Sequence, residues 1–357
     1  MRFLLAGGGT GGHVNPLLAL AQQLRAEGHE VFALGTKEGL EQRLVPERGF
    51  ELFTVRKLPL PRKFSLRAIG FPFLLLAESL RTFRLIKRLK IDGVVGFGGY
   101  ASPPAYIAAR LARVPMVIHE ANAIAGFANR LGARLGGKVA IAFPNANLKG
   151  VLTGMPIRNE IIASLVDYDK GQARIELGLD PVLPTLLVTG GSLGAKSINE
   201  TIIESLEELK AAGIQVLHIV GDRAGLTEVS EPGYRRMAYC LRMDAAIAAS
   251  NLAVSRAGSS TVSEFSVAGL PAIYVPYPVG NGEQRLNALT VVEAGGGELV
   301  LDKDFNNEYV SKKVIPILSH ATTLKKMSLA AKSVGIQDAT ARLRDLVIGS
   351  VNTRADD

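Results

Sequence analysis

The sequence contains a single cysteine and only a short apolar stretch at its N-terminus. One thiol, Cys240, excludes an intramolecular disulfide and a metal site built from several thiolates. The start, MRFLLAGGG, has an apolar stretch of four residues, which is too short for a secretory signal or a transmembrane span. We therefore expect a globular protein in a reducing, cytoplasmic setting.

Acidic side chains are almost missing from residues 56–90. This segment holds ten Lys or Arg and one Glu, so it carries a formal charge of +9 in a chain whose total is +8. The rest of the sequence is nearly neutral. The positive charge therefore forms one local patch, which argues against a uniformly basic protein that binds polyanions without specificity.

The length of 357 residues and the hydrophobic fraction of 47% allow two medium-sized cores. Gly154 and Pro156 interrupt the pattern near residues 153–160, where we place the hinge. We expect an N-terminal domain over residues 1–156 and a C-terminal domain over residues 157–340. A helix at about residues 341–351 is expected to return to the first domain.

Short apolar runs alternate with helical patterns through the first half, which predicts an α/β fold with a parallel sheet. The expected strands are RFLLA, EVFALG, GVVGFGG, VPMVIHE and KVAIAF. Between the first two, Asn15 and Pro16 suit a helix N-cap and first helical position, and Gly28 suits the helix end.

Residues 185–221 repeat this strand, glycine loop and long helix. Gly190, Gly191 and Ser192 match Gly8, Gly9 and Thr10 of the first loop. The repeat predicts two Rossmann-like parallel-sheet domains that face each other across a cleft.

The first glycine loop, AGGGTGGH, places His13 where ligands bind in such sheets. Glycines let backbone N–H groups approach an oxyanion, and a following helix N-terminus favours negative charge. The same loop fits the G-x-G-x-x-G pattern of dinucleotide-binding proteins, but Gly35 and Thr36 stand where such proteins need an acidic residue for the ribose. A nicotinamide cofactor is therefore disfavoured.

The segment RAGSSTVSE at residues 256–264 opens a predicted helix whose N-terminus suits a pyrophosphate. Glu264, one turn further on, can accept both hydroxyls of a ribose. An ordinary capped helix with a surface glutamate remains the alternative at this point. The predicted binding residues here are Ser259, Ser260, Thr261, Val262, Ser263 and Glu264. Beyond the next strand, Gln284 and Asn287 are neutral groups suited to sugar hydroxyls.

Six motifs occur in one order along the chain: GGTGGH, HEAN, GMPIR, GGSLGA, RAGSSTVSE and EQRLNA. Together they resemble the MurG family of bacterial lipid II synthases, which have two Rossmann-like domains of the glycosyltransferase B (GT-B) type. The resemblance implies transfer of N-acetylglucosamine from UDP-N-acetylglucosamine to the 4-hydroxyl of the muramyl sugar of undecaprenyl-pyrophosphoryl-MurNAc-pentapeptide (lipid I), with inversion.

The resemblance also implies which residues meet the donor. These are Thr10, Gly11, Gly12, Asn122, Arg158, Ser192, Cys240, Glu264 and Gln284. It implies phosphate contacts for Arg158 and Ser192, and a ribose contact for Glu264. It further implies a sugar contact for Gln284, and uracil recognition by the backbone around Cys240. The chain departs from the family pattern at Glu283, Ala121 and Leu193, which alters local hydrogen bonding and not the expected reaction.

His13 is the candidate catalytic base. An imidazole with a pKa near 6.5 within hydrogen-bond reach can take the proton of the acceptor hydroxyl as the new C–O bond forms. The alternatives are that His13 orders the loop or donates to a phosphate, and that a carboxylate is the base. His119, at the end of a strand, is expected to be a positioning residue.

We predict no metal and no other cofactor. The D-x-D strings at residues 167–169 and 302–304 lie outside the phosphate loops, and we interpret both as solvated turns. Helix N-termini, Ser192 and Arg158 can stabilise the charge of the departing UDP without a cation.

Residues 62–90 are the expected membrane surface, because the acceptor has a lipid tail. Arg81, Arg84 and Arg88 share one helix face by their spacing, with Lys63, Arg67 and Lys87 close in sequence. Apolar residues that suit shallow insertion, at least half of which we expect in the core, include Phe64, Phe71, Phe73 and Leu75. This predicts peripheral binding at the cytoplasmic face of the cell membrane.

Two alternative functions differ in partner. Binding of nucleic acid is disfavoured because the basic patch lacks interleaved aromatic residues for base stacking. A related UDP-sugar transferase with a different lipid or soluble acceptor stays open. The resemblance also implies proteins of cell-wall synthesis or division as candidate partners.

Overall fold

The computed structural model describes residues 1–61, 66–167, 169–191 and 194–355. The chain divides into two compact units. Unit 1 comprises Met1–Arg158 together with the C-terminal segment that starts at Asp338, and unit 2 comprises Asn159–Gln337. The division falls at Arg158, inside the segment where Gly154 and Pro156 interrupt the sequence pattern.

The described part of unit 1 contains a seven-stranded parallel sheet with the order β3-β2-β1-β4-β5-β6-β7. Its strands are β1 Arg2–Ala6, β2 Glu30–Thr36, β3 Glu51–Val55, β4 Gly93–Gly96, β5 Met116–Glu120, β6 Lys138–Ile141 and β7 Val151–Leu152. Its first helices are α1 Gly11–Ala26, α2 Glu41–Glu47, α3 Leu66–Leu89, α4 Ser102–Ala112 and α5 Phe127–Arg134. The strand order reverses between β1 and β4, so the loops after these strands meet at a topological switch point.

Side chains of β1 alternate between two cores, as the period of a strand requires. Phe3 and Leu5 pack on the side of α1, with Leu17 and Leu24. Leu4 packs on the opposite side, in the core that contains residues of α3 and α4. Both faces of this sheet are therefore covered, which explains why its strands are apolar almost throughout.

Unit 2 repeats the topology with the strand order β10-β11-β9-β8-β12-β13-β14. Its strands are β8 Thr185–Thr189, β9 Gln215–Ile219, β10 Val229–Glu231, β11 Tyr234–Met237, β12 Leu252–Ser255, β13 Ala272–Tyr274 and β14 Gly297–Leu299. The sequence interpretation did not include β10, which pairs antiparallel with β11; the other pairs are parallel. The switch point lies between β8 and β12.

The helices of unit 2 are α6 Asn159–Asp167, α7 Lys170–Glu176, α8 Lys196–Glu204, α9 Leu206–Ala211, α10 Met243–Ala249, α11 Ser259–Ala268, α12 Glu283–Glu293, α13 Asn307–Tyr309, α14 Ile315–Ser319 and α15 Ala321–Val334. A 3₁₀ turn at Asp302–Asp304 and a π-helical turn at Val310–Val314 complete the set. The single long helix expected after the second glycine loop is divided at Ser205, whose hydroxyl donates to the carbonyl of Thr201 at 2.8 Å.

The last helix, α16 Ala339–Ala355, belongs to unit 1. It packs against α1, where Leu343 and Val347 join the core. An ion pair between Arg344 and Glu27 lies at the same contact.

The predicted start of the first helix was wrong. Helix α1 begins at Gly11, with Thr10 as its extended N-cap, five residues before the expected first position, Pro16. Proline at this position removes one helical hydrogen bond. The loss is tolerated because it lies close to the helix N-terminus, where the first four N–H groups have no helical partner in any case. The consequence is that His13 lies in the first turn of the helix and not in a loop.

Candidate active site

The candidate site residues of unit 1 lie around the loop after β1. His13, half-buried in the first turn of α1, has its Nδ1 3.1 Å from the carbonyl oxygen of Gly8. The hydroxyl of Thr10 lies 3.5 Å from the same nitrogen. Because a carbonyl only accepts, Nδ1 carries the proton and donates it. In the neutral ring, Nε2 is then an acceptor, as a general base requires.

The loop after β4 faces the imidazole. A Cβ placed on Gly98 would lie 3.1 Å from Nε2 of His13, so this position must lack a side chain to leave the nitrogen accessible. Gly99, at φ +77°, approaches the loop after β1 so closely that a Cβ would lie 2.5 Å from the carbonyl oxygen of Gly8. The two glycines therefore let the loops at the switch point meet around His13.

Burial lowers the pKa of His13 below its ordinary value of 6.5. The hydrogen bond to Gly8 and the negative charges of Glu120 and Glu41 oppose this effect, in that order, without cancelling it. His13 is therefore neutral at pH 7 and able to accept a proton.

Glu120, at the end of β5, organises the loop that carries Asn122. Its carboxylate accepts hydrogen bonds from the backbone N–H of Asn122 at 2.9 Å, the N–H of Gly126 at 3.1 Å and the side-chain amide of Asn129 at 2.9 Å. Tyr106 in turn donates to Asn129 at 2.8 Å. Glu120 is thus engaged on both oxygens, which fits a positioning role better than that of a base.

His119 is fully buried and ties two segments of unit 1 together. Its Nε2 lies 3.0 Å from the carbonyl oxygen of Gly154, to which it donates. Burial lowers the pKa of His119 to about 4, so the ring is neutral. This contact fixes the start of the GMPIR segment, whose last residue, Arg158, is half-buried.

The candidate site residues of unit 2 lie mainly at the N-terminus of α11, which follows β12 at the switch point. Ser259 and Glu264 are buried, with 5% and 7% of their surfaces exposed. The hydroxyl of Ser260 is buried and has no hydrogen-bond partner among the described residues. Val262 is buried, and its N–H donates to the carbonyl of Gly258. Thr261 and Ser263 are half-buried. The start of α11 therefore carries a buried hydroxyl, that of Ser260, with no hydrogen-bond partner among the described residues.

Gln284 and Asn287 on α12 have different surroundings. Gln284 is half-buried and accepts at Oε1 from the N–H of Tyr277 at 2.9 Å, which leaves contact with a ligand to its amide nitrogen. Asn287 has no exposed surface, and its Nδ2 donates to the carbonyl of Ala257 at 3.3 Å. Asn287 therefore stabilises the loop before α11 through a buried hydrogen bond.

The second glycine loop connects β8 to α8. Gly191 and Gly194 have φ angles of +79° and +77°, and a Cβ on Gly194 would collide with the carbonyl of Val220. Ser192 and Leu193, between them, lie outside the described residues. Elsewhere in unit 2, Cys240 is buried before α10, next to Leu241, which is 86% exposed.

Arg256, one residue after β12, is a central residue that the sequence analysis missed. Its guanidinium donates to the carbonyls of Val275 and Pro276 at 3.1 and 3.3 Å, and to the hydroxyl of Ser197 at 3.1 Å. It also forms an ion pair with Asp302. An arginine directly before the small-residue loop AGSST is the sequence signal that could have found it.

The D-x-D string at residues 302–304 is not a simple solvated turn. Asp302 is half-buried and engaged by Arg256 and Ser197, whereas Asp304 is exposed. In the other string, Asp169 caps α7 by accepting from the N–H of Gln172 at 3.0 Å, and Tyr168 lies outside the described residues. Within the described ranges, no group of three or more His, Cys, Asp or Glu side chains is arranged to hold a metal ion.

Comparison with known families gives matches in both units. The glycosyltransferase family 28 N-terminal domain matches residues 3–141, and the glycosyltransferase family 28 C-terminal domain matches residues 185–343. Together these matches span most of the chain and include both glycine loops.

Two bacterial relatives carry the name UDP-N-acetylglucosamine--N-acetylmuramyl-(pentapeptide) pyrophosphoryl-undecaprenol N-acetylglucosamine transferase. The protein from Clavibacter sepedonicus is 51% identical over 99% of this chain and 97% of its own length. The protein from Streptomyces coelicolor is 46% identical over 99% of this chain and all of its own length.

Solved structures share the architecture. MurG from Acinetobacter baumannii is 28% identical, with a TM-score of 0.78 over 98% of this chain and 99% of that chain. A glycosyltransferase of kitacinnamycin, at 16% identity and a TM-score of 0.68 over 98% of this chain and 99% of that chain, shares the fold alone. The predicted class of two Rossmann-like α/β domains of the GT-B type is confirmed.

Proposed function

The chain belongs to glycosyltransferase family 28, and from this membership we propose that it transfers N-acetylglucosamine from UDP-N-acetylglucosamine to lipid I. The acceptor atom is the 4-hydroxyl of the N-acetylmuramyl sugar, and the product is the β-linked disaccharide of lipid II. The name of the relatives describes this transfer, and their similarity extends over almost the whole chain. The observation that carries the proposal is the hydrogen bond from Nδ1 of His13 to the carbonyl of Gly8, which leaves Nε2 as the acceptor beside the loop after β4.

His13 acts as the general base in this proposal. As the acceptor oxygen attacks the anomeric carbon of the donor, its proton passes to Nε2, while Nδ1–H remains bonded to Gly8. The imidazolium that forms is stabilised by that carbonyl and by the nearby carboxylates of Glu120 and Glu41. The C–O bond to UDP breaks on the opposite side of the anomeric carbon, which inverts its configuration.

Unit 2 binds the donor. Glu264 accepts the ribose hydroxyls, and the start of α11, from Ser259 to Ser263, receives the diphosphate. The unpartnered hydroxyl of Ser260 supports this assignment, since a buried donor without a partner is costly unless a ligand satisfies it. Gln284 contacts the sugar through its amide nitrogen, and the backbone at Cys240 meets the uracil.

Arg158, Asn122 and the Thr10–Gly12 segment complete the donor contacts from the residues of unit 1. The charge that develops on the departing UDP meets backbone N–H groups, Ser192 and the guanidinium of Arg158. Preorganised donors of this kind can stabilise a leaving diphosphate in the absence of a metal ion.

Helix α3 supplies the membrane-binding surface. Four apolar side chains recur on it every three or four residues and are strongly exposed: Ile69 at 56%, Phe73 at 72%, Leu76 at 51% and Leu80 at 41%. Phe71 and Leu75 are half-buried, and Lys63 and Phe64 lie outside the described residues. An exposed apolar stripe of this length is unusual for a face that meets only water.

The basic end of the same helix continues this surface. Arg84, Lys87 and Arg88 are exposed. Arg84 and Arg88 line a cavity of about 260 Å³ beside β3, together with Arg81. Among the described residues, no helix combines the length and hydropathy needed to cross a bilayer. We infer shallow insertion of the apolar stripe, with the arginines at anionic headgroups, and we propose that the enzyme binds in this way at the cytoplasmic face of the membrane.

Product analysis tests the proposed reaction. The purified chain is mixed with UDP-N-acetylglucosamine and a soluble lipid I analogue, and the disaccharide product is sought by mass spectrometry. Parallel reactions contain an analogue that lacks the muramyl 4-hydroxyl, or an unrelated lipid-linked sugar. Transfer to lipid I alone supports the proposal, whereas transfer only to another acceptor would assign the chain a different substrate within the same family.

A further inference from the structure

The peptide bond between Gly8 and Gly9 connects two functional groups of unit 1. Its carbonyl oxygen accepts the hydrogen bond from Nδ1 of His13 at 3.1 Å. Its N–H, on Gly9, donates to Oε2 of Glu41 at 2.7 Å. Because both groups belong to one planar amide, a change in the hydrogen bond at one end alters the polarisation of the group at the other.

Glu41, the first residue of α2, is held in place on every side. It is 1% exposed, and its Oε1 accepts from both the N–H and the hydroxyl of Thr36 at 2.8 Å. Three glycines make room for it, since a Cβ on Gly8, Gly35 or Gly39 would overlap the Glu41 side chain. These three glycines therefore leave the space that an internal carboxylate occupies.

We propose that Glu41 is a positioning residue that orients and polarises His13 through the Gly8–Gly9 peptide. The proposal rests on the role of His13 as base but not on the identity of the acceptor. Glu41 touches neither substrate nor the reacting atoms. It acts on the base from a distance of one amide group.

The physical reason lies in the cooperativity of hydrogen bonds. A carboxylate that accepts from an amide N–H polarises the amide and makes its carbonyl oxygen a better acceptor. The Gly8 carbonyl then holds Nδ1–H more firmly, which keeps Nε2 as the acceptor and stabilises the imidazolium. Gly9, at φ +93°, has the left-handed conformation that turns the two ends of this peptide toward Glu41 and His13.

Two titratable groups act on the pKa of His13. Glu120 and Glu41 raise its pKa, with Glu120 the larger of the two, and His119 is neutral. Glu120 acts through space, whereas Glu41 also acts through the peptide. The second route requires that the Gly9 amide respond when His13 titrates.

The first test uses the unaltered chain, labelled with ¹⁵N at glycine and histidine. We expect NMR to show His13 with the proton on Nδ1 and a Gly9 amide proton shifted downfield by its carboxylate partner. On titration, the Gly9 amide resonance should move with the same midpoint as the His13 ring. A Gly9 resonance that is insensitive to the state of His13 would overturn the proposal.

The second test is Glu41→Gln. The amide nitrogen of glutamine would face either the Gly9 N–H or the Thr36 N–H, so one of these donors loses its acceptor. We expect a lower His13 pKa, a population with the proton on Nε2, and a kcat about 10-fold lower, a part of the 10²–10⁴-fold contribution of a general base. The KM for the donor should stay unchanged, and the acidic limb of the pH–rate profile should move to lower pH.

Glu47→Gln is the matched control, because Glu47 lies on the same helix with its side chain 57% exposed. It should leave the His13 pKa, its tautomer and kcat at the parent values. An unchanged tautomer and pKa in a folded Glu41→Gln variant would contradict the proposal. Failure of this proposal and failure of the proposed function can be told apart. The coupling between Gly9 and His13 is measured by NMR without substrate. Full activity of His13→Ala would instead reject the role of His13 as the general base.

Discussion

Arg256 forms an ion pair with Asp302, which lies 46 residues further along the chain, and donates to Ser197, which lies 59 residues before it. The hydroxyl of Ser197 closes the triangle by donating to Asp302 at 2.7 Å. These contacts tie the loop before α11 to the first turn of α8 and to the 3₁₀ turn at Asp302–Asp304. Three segments of unit 2 are therefore joined at one guanidinium.

We expect Arg256→Ala to weaken binding of UDP and to lower the free energy of unfolding of unit 2 by about 3 kcal/mol, the range for removing one partner of a buried ion pair. Asp302→Asn keeps the shape and an acceptor and should cost less. Asp304→Asn, at the exposed end of the same string, is the control and should match the parent. Calorimetry with UDP and chemical denaturation give both quantities, and parental values for Arg256→Ala would reject the role of the triangle.

Strands such as β1, β2, β5 and β8 could be predicted from the sequence because each is a short apolar run between turn residues, whereas β10 and β11, which are largely polar, could not. The expected strand RFLLA coincides with β1, and the expected strand VPMVIHE is two residues longer than β5 at its start. The start of α1 could not be predicted in this way, because Asn15 and Pro16 are good starting residues and the actual start, Gly11, has a poor propensity for helix. Tertiary contacts of the glycine loop decided the boundary.

The residues of the candidate site also differ in whether the sequence alone could indicate them. Residues within a local motif, such as His13 and Glu264, could be found by their spacing. The contacts of Asp302 and Glu41 could not, since Asp302 pairs with Arg256, 46 residues away, and Glu41 accepts from Gly9, 32 residues away. Their roles follow from burial and from contacts across several strands.

Glu264→Ala and Gln284→Ala should have different effects on donor binding. The ribose contact of Glu264 does not involve the sugar, so its loss should weaken binding of UDP and of UDP-N-acetylglucosamine alike. Loss of Gln284 should weaken binding of the nucleotide sugar more than that of UDP. Calorimetry with both ligands measures the contrast, and equal losses in both variants would reject the assigned roles.

Turnover should persist in excess chelator and should show no strict requirement for added divalent cations. The reason is that helix N-termini, hydroxyls and Arg158 are proposed to face the diphosphate. The measurement is the initial rate with and without EDTA after dialysis. Complete loss in chelator, restored by Mg²⁺ or Mn²⁺, would show that a cation is needed.

Membrane binding should depend on the basic end of α3. We expect Arg84→Glu combined with Arg88→Glu to reduce sedimentation with anionic vesicles and turnover on a long-chain acceptor, while turnover on a short-chain soluble analogue is spared. Each basic residue contributes on the order of 1 kcal/mol at an anionic surface. Arg81 is left unchanged because it pairs with the buried Glu78 at 3.2 Å.

Lys325→Glu combined with Lys326→Glu is the control for this charge change, since both lysines are exposed on α15 of unit 2. This variant should bind vesicles as the parent does. If the α3 variant sediments equally well, or if both variants lose binding to the same extent, α3 is not the membrane surface.

The most direct measurement is the turnover of His13→Ala beside its affinity for UDP. We predict that turnover on a soluble lipid I analogue falls by about 10²–10⁴-fold, the contribution of a general base, while UDP binds with nearly parental affinity. Near-normal turnover would contradict the assignment of His13 as the base, and a loss of UDP affinity as large as the loss of turnover would make it a donor-binding residue instead.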